Sequence, residues 1–111
     1  MRSLLLDELR ADDMERLREH LARTLIPSGL SDVFWMELPA ELLSPDQHEH
    51  RQCCGPHRLA VVLEESSLRL ELLVRSKESL RCHCTAYATR AQREFCLGWL
   101  DGLIRELDLK T

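Results

Sequence analysis

The segment from Arg58 to Thr89, RLAVVLEESSLRLELLVRSKESLRCHCTAYAT, restricts the possible folds of this chain more than any other. Its apolar residues fall at every second position, the period of a pleated strand with one face in a core. The polar clusters Glu64 to Ser67 and Ser76 to Ser79 divide it into three strands joined by short turns, an antiparallel meander. One face carries Leu59, Val61 and Leu63, then Leu68, Leu70, Leu72 and Val74, then Leu80, Cys82, Cys84, Ala86 and Ala88. The other carries Ala60 and Val62, then Arg69, Glu71, Leu73 and Arg75, then Arg81, His83, Thr85 and Tyr87.

A one-sided sheet needs cover, and helical patterns on either side provide it. In DDMERLREHLARTL, Met14, Leu17, Leu21 and Leu25 recur at helical spacing, with Asp12 as expected cap, Glu15 closing a capping box, and Pro27 and Gly29 beyond the far end. The pattern does not decide whether Leu4 to Arg10 belongs to this helix. Val33 to Leu38 alternates as a further short strand, stopped by Pro39. Ser44, Pro45 and Gln47 open a short helix expected to end near Cys54, before Gly55 and Pro56. Thr89 and Gln92 open the last one, whose Phe95, Cys96, Trp99, Leu100, Leu103, Ile104 and Leu107 form an arc wide enough for two neighbours. Gly98 and Gly102 lie on its polar side, either tolerated or marking a close approach.

The expectation is one α+β domain over residues 1–111. It has an antiparallel meander of three strands with a fourth candidate, an N-terminal amphipathic helix, a short middle helix and a long C-terminal helix packed on one face. A formal charge of −4 argues against a dedicated duplex nucleic-acid binder. The three-leucine run at Leu4 to Leu6 is too short for a signal peptide or a membrane span, and an odd count of five cysteines does not suit a disulfide framework, so a cytoplasmic location is expected.

HEHRQCCGPH, His48 to His57, is the obvious candidate for chemistry. On a helix reaching Cys54, His50 lies one turn before Cys53 and Cys54, and His57 returns after the Gly55-Pro56 turn. His50, Cys53, Cys54 and His57 are therefore a candidate zinc ligand set, with His48 on another side. Against it, zinc knuckles space their thiols by two to four residues, and here they are adjacent. A strand would point Cys82 and Cys84 together into the core and His83 away from them, so no shared ion is expected there. No phosphate loop, GxSxG, HExxH or CxxC motif occurs, and thiols near a helix C-terminus are poorly placed as nucleophiles.

The second sheet face mixes Val62, Leu73 and Tyr87 with Arg69, Arg75, Arg81 and His83, residue types favoured in protein contacts. An N-terminal segment lying across this face is the competing account, and single-stranded RNA or another anion a weaker ligand for it. The leading expectation is thus a non-catalytic cytosolic domain without a cofactor that binds a protein partner or itself, as a homodimer. A zinc protein using the His48 to His57 segment is the alternative, and a thiol enzyme the third.

Overall fold

The structure is a computed structural model describing residues 1–111. Strands β1 (Ser3–Leu6), β2 (Ile26–Pro27), β3 (Val33–Glu37), β4 (His57–Leu63), β5 (Leu68–Glu71), β6 (Leu73–Ser76) and β7 (Ala86–Tyr87) join helices α1 (Ala11–Thr24), α2 (Pro45–Glu49) and α3 (Arg90–Leu107). The fold is α+β, with an antiparallel sheet, an N-terminal helix, a short middle helix and a long C-terminal helix. The strands pair in the order β1-β5-β4-β3-β2, with β6 beside β4 and β7 beside β6.

β5 and β6 form one long strand with a break at Leu72. Val61 faces Leu70, but Arg58 faces Arg75, so five steps along β5 and β6 match three along β4. The two extra residues make a bulge, which bends the strand and ends one partner's pairing where another's begins. Leu72 accordingly donates its N–H to the Arg2 carbonyl (2.9 Å) and accepts from the Ala88 N–H (2.8 Å), serving β1 on one side of the break and β7 on the other.

The inner face is as the alternation predicts: Leu59, Val61, Leu63, Leu68, Leu70, Leu72 and Val74 are all buried, as are Phe34, Met36 and Leu38 of the β3 region. With Met14, Leu17 and Leu21 of α1 and Cys96, Leu100 and Leu103 of α3 they belong to a single apolar cluster of 18 residues. Each leucine removed fully from water there contributes about 1.5–3 kcal/mol. The wide arc of α3 has its two neighbours within the chain, the sheet and α1. His20 of α1 reaches Glu106 (4.0 Å), and Arg16 donates to the Leu107 carbonyl. Nothing approaches Gly98 or Gly102 within 4 Å of where a Cβ would stand.

Three expectations need correction. The third strand is confined to Ala86–Tyr87. Leu80 to Cys84 turns instead, leaving Leu80 62% exposed and Ala86 exposed as well. The cause is local hydrogen bonding that competes with a ladder. The Ser76 hydroxyl accepts from the Ser79 N–H (2.9 Å), the Ser79 carbonyl from the Cys82 N–H (3.3 Å), and the Cys82 carbonyl from the Thr85 N–H (3.0 Å). Second, α1 starts at Ala11 behind Arg10, without a side-chain cap. The acidic side chain that matters there is Asp13, which is buried and accepts from the Lys110 N–H (3.1 Å) and from Arg16, fastening the C-terminus to α1. Third, regular helix in α2 stops at Glu49, although turns continue through Cys54. The segment before α1 is an edge strand, β1, paired with β5, so it extends the sheet and does not cross its open face.

Candidate metal centre

Two segments distant in sequence meet at one end of the sheet, and both are fixed by buried glutamines. Ser44 caps α2 in a reciprocal box with Gln47, and Thr89 caps α3 in the same way with Gln92. Both glutamines are almost wholly buried. The Gln92 amide nitrogen donates to the Gln47 side-chain oxygen (2.9 Å) and to the Leu42 carbonyl (2.8 Å), while the Gln47 amide nitrogen donates to the Cys84 carbonyl (3.2 Å). A satisfied buried network of this kind specifies one arrangement, because any slip leaves several polar groups unpaired. It holds the start of α2, the start of α3 and Cys84 in register.

Beyond α2 the Cys54 N–H donates to the His50 carbonyl (2.8 Å), one helical turn, so that both side chains emerge on the same side. Gly55 ends the turn where it must, since a Cβ there would run into the Arg51 carbonyl. The turn at Leu80 to Cys84 is tied to the same spot through the Ser76 hydroxyl, which donates to the Cys54 carbonyl, and through Thr85 Oγ1, which accepts from the Ser76 N–H (2.9 Å).

The outcome is a compact set of donors: His50, Cys54, Cys82 and Cys84, each offering one ligand atom, with all four atoms within 4.8 Å of one another. His50 Nδ1 is 3.3 Å from Cys82 Sγ and 3.7 Å from Cys54 Sγ. A tetrahedron built on Zn–S bonds of ~2.3 Å and Zn–N bonds of ~2.0–2.1 Å has edges of ~3.8 Å between sulfurs and ~3.5 Å between sulfur and nitrogen. The spacing therefore suits a single small ion. Cys54 and Cys84 are buried, while His50 and Cys82 are half-buried, so the site lies at the rim of the core with one side toward solvent.

Burial pushes the Cys54 thiol up to about 12, with further upward contributions from the neighbouring thiols, and burial also raises Cys84. Cys82 moves down, chiefly through the backbone N–H of Cys84 and then the Cys84 thiol. The surroundings thus favour the protonated form at Cys54 and Cys84 and the thiolate at Cys82. A divalent ion reverses that balance by stabilising all three thiolates.

The structure brings His50 and Cys54 of the sequence-derived set together with Cys82 and Cys84. Cys53 is exposed beside the cluster, its sulfur 3.7 Å from that of Cys54. His57 is buried at the start of β4 with neither ring nitrogen hydrogen-bonded, and burial followed by the nearby His50 depresses its pKa. His48 is occupied with Arg51 (3.1 Å). His83 stands edge-on to the His50 ring, 5.0 Å between centroids. Cys96 lies apart, wholly buried in the core, which raises its pKa to about 11. Cys82 and Cys84 were missed as ligands because the alternation was carried through them. The cue lay in the flanking Ser76, Ser79 and Thr85, all able to hydrogen-bond locally.

Of the residues assigned to the second sheet face, Val62 pairs with Arg69, Leu73 with Tyr87, and Arg75 with Arg58. Arg81 and His83 instead belong to the Leu80–Cys84 turn. Arg69 and Arg75 are drawn to Glu64 (3.5 Å) and Glu71 (2.9 Å). Sequence reasoning missed two cation–π pairs, Arg58 over Trp35 (4.1 Å) and Arg2 over Tyr87 (4.4 Å). No helix of the chain is long and apolar enough to cross a membrane.

No protein-family model matches the chain, and searches of curated proteins and of solved structures likewise return no match.

Proposed function

We propose that this is a zinc-binding domain in which His50, Cys54, Cys82 and Cys84 hold one ion in a closed, tetrahedral, structural centre. The observation that carries the proposal is the convergence of three sulfurs and one imidazole nitrogen within 4.8 Å. Thiolates with an imidazole form a donor set that suits zinc, and four protein ligands leave no position for a reactive water. The ion cross-links the turn after α2 to the turn before β7, two segments that carry little apolar packing of their own.

Elemental analysis of protein purified without a His tag tests the proposal. One equivalent of zinc per chain is expected, falling below a tenth in a Cys82→Ser, Cys84→Ser double variant; less than a tenth in the natural sequence contradicts it.

A second proposal, homodimerisation through the sheet face opposite the apolar core, is supported by Trp35, Val62 and Leu73, which are half-buried there and outside the core cluster. Light scattering should then show a dimer at micromolar concentration, converted to monomer by Leu73→Glu. A monomer throughout removes it.

A further inference from the structure

The two long edges of the sheet are protected unequally. At one edge β2 is a two-residue strand ending in Pro27, a residue that blocks further pairing. At the other, β1 reads Ser-Leu-Leu-Leu, with no proline and no charge. The bond from the Leu72 N–H to the Arg2 carbonyl sets the phase of the β1–β5 ladder. In antiparallel alternation Leu4 then bonds inward to β5, and Ser3 and Leu5 direct their N–H and C=O groups to the free edge.

A groove of about 580 Å³ runs between this edge and the first two turns of α3. Leu4, Leu72 and Leu97 give it apolar walls, and Arg2, Arg90 and Arg93 surround them. The one carboxylate in the lining, Glu94, is taken up by Arg90 (3.3 Å), which leaves an excess of two positive charges on a chain whose net charge is −4. Leu97 is 48% exposed, so an apolar surface stands open beside the unpaired backbone.

We infer that this groove takes an extended acidic peptide, added as a further strand on β1. Backbone bonds to Ser3 and Leu5 fix its register. An apolar side chain opposite Leu4 points to the same side of the sheet as Leu4, into the space between Leu72 and Leu97. Carboxylates two residues before and two after it, which share that side of the sheet, meet Arg2, Arg90 and Arg93. Unpaired strand edge, apolar floor and basic rim together select a peptide over a small anion, which would use the arginines alone. The site is separate from the metal cluster and stands whether or not zinc binds.

The test begins with selection from a displayed library of random heptapeptides against the zinc-supplemented full chain, and continues with fluorescence anisotropy on synthetic peptides of the enriched sequence. Enrichment of acidic residues two positions away from one large apolar residue, on either side of it, is expected. Affinity should fall about tenfold or more with Arg93→Glu, and with Ser3→Pro, which removes an outward N–H without touching the β1–β5 bonds. N-methylation of the peptide backbone should abolish binding at alternate residues only, a readout on the natural chain that does not depend on any variant folding. Failure to enrich such a sequence overturns the inference. So does binding that responds to Arg93→Glu but ignores backbone N-methylation, because that would be a surface for anions and not a strand acceptor.

Discussion

The two ends of this molecule are held by different physics. Where α1 and α3 cross the sheet, wholly buried leucines such as Leu17, Leu21, Leu59, Leu68 and Leu70 interlock, and buried Asp13 ties down the chain's last residues. At the other end α2 has five residues, the Leu80–Cys84 segment has no ladder, and the buried atoms are largely sulfur, imidazole and amide. Apolar burial is non-directional and tolerates a range of arrangements, whereas a donor cluster is useful only when each atom is aimed. The difference teaches that the sheet and long helices should fold without metal, while the α2 end should depend on it.

The largest effect expected is Leu70→Ala, which opens a cavity in the centre of the inner face. It should cost about 2–5 kcal/mol in denaturant unfolding, by the same amount with and without zinc. A loss that depends on zinc would mean that the two ends are not separable. Zinc comes next. At a free concentration a hundred times its dissociation constant it should add about 2.7 kcal/mol. Hydrogen exchange should show protection gained over residues 44–57 and 76–87 and little change in α1. Protection spread evenly over the sheet would break the contrast.

Asp13 sharpens it from the opposite end. Burial alone would raise this carboxyl, but the Lys110 N–H and then Arg16 outweigh that and hold its pKa below the ordinary 3.8. A depressed folded-state value means that the unfolded chain binds the proton more readily, so the contribution is complete above 3.8 and disappears as pH falls below it. Acid titration of stability should therefore steepen below pH 4, equally with and without zinc, and Asp13→Asn should flatten that limb. An unchanged slope in the variant removes Asp13 from the account. The smallest effect runs the other way: Gly98→Ala and Gly102→Ala, each pointing into open space, should stabilise α3 by about 0.5–1 kcal/mol apiece. Destabilisation there would reveal a contact that the monomer does not have.

The same division governs how much was legible in the sequence. Leu59 to Val74 could be assigned to faces because a pleat sends alternate side chains to opposite sides whatever lies above them. The Ser44–Gln47 and Thr89–Gln92 boxes could be read because all their atoms lie within one turn of helix. The capping box expected at Asp12 did not form: α1 starts at Ala11 with no side-chain cap, and the acidic side chain buried in its first turn, Asp13, is engaged by the N–H of Lys110, a partner that local spacing does not announce. At the metal end, period-two reasoning was extended through Leu80 to Cys84, where serine and threonine hydrogen bonds set the path. The meeting of that turn with His50 and Cys54 rests on the Gln47, Gln92 and Cys84 network, which no periodicity announces.

The central claim is that His50, Cys54, Cys82 and Cys84 bind one zinc ion directly, and X-ray absorption at the zinc edge of the loaded protein tests it most directly. Three sulfur neighbours at ~2.3 Å and one nitrogen at ~2.0–2.1 Å are predicted. A shell dominated by oxygen, or one with fewer than three sulfurs, would contradict it.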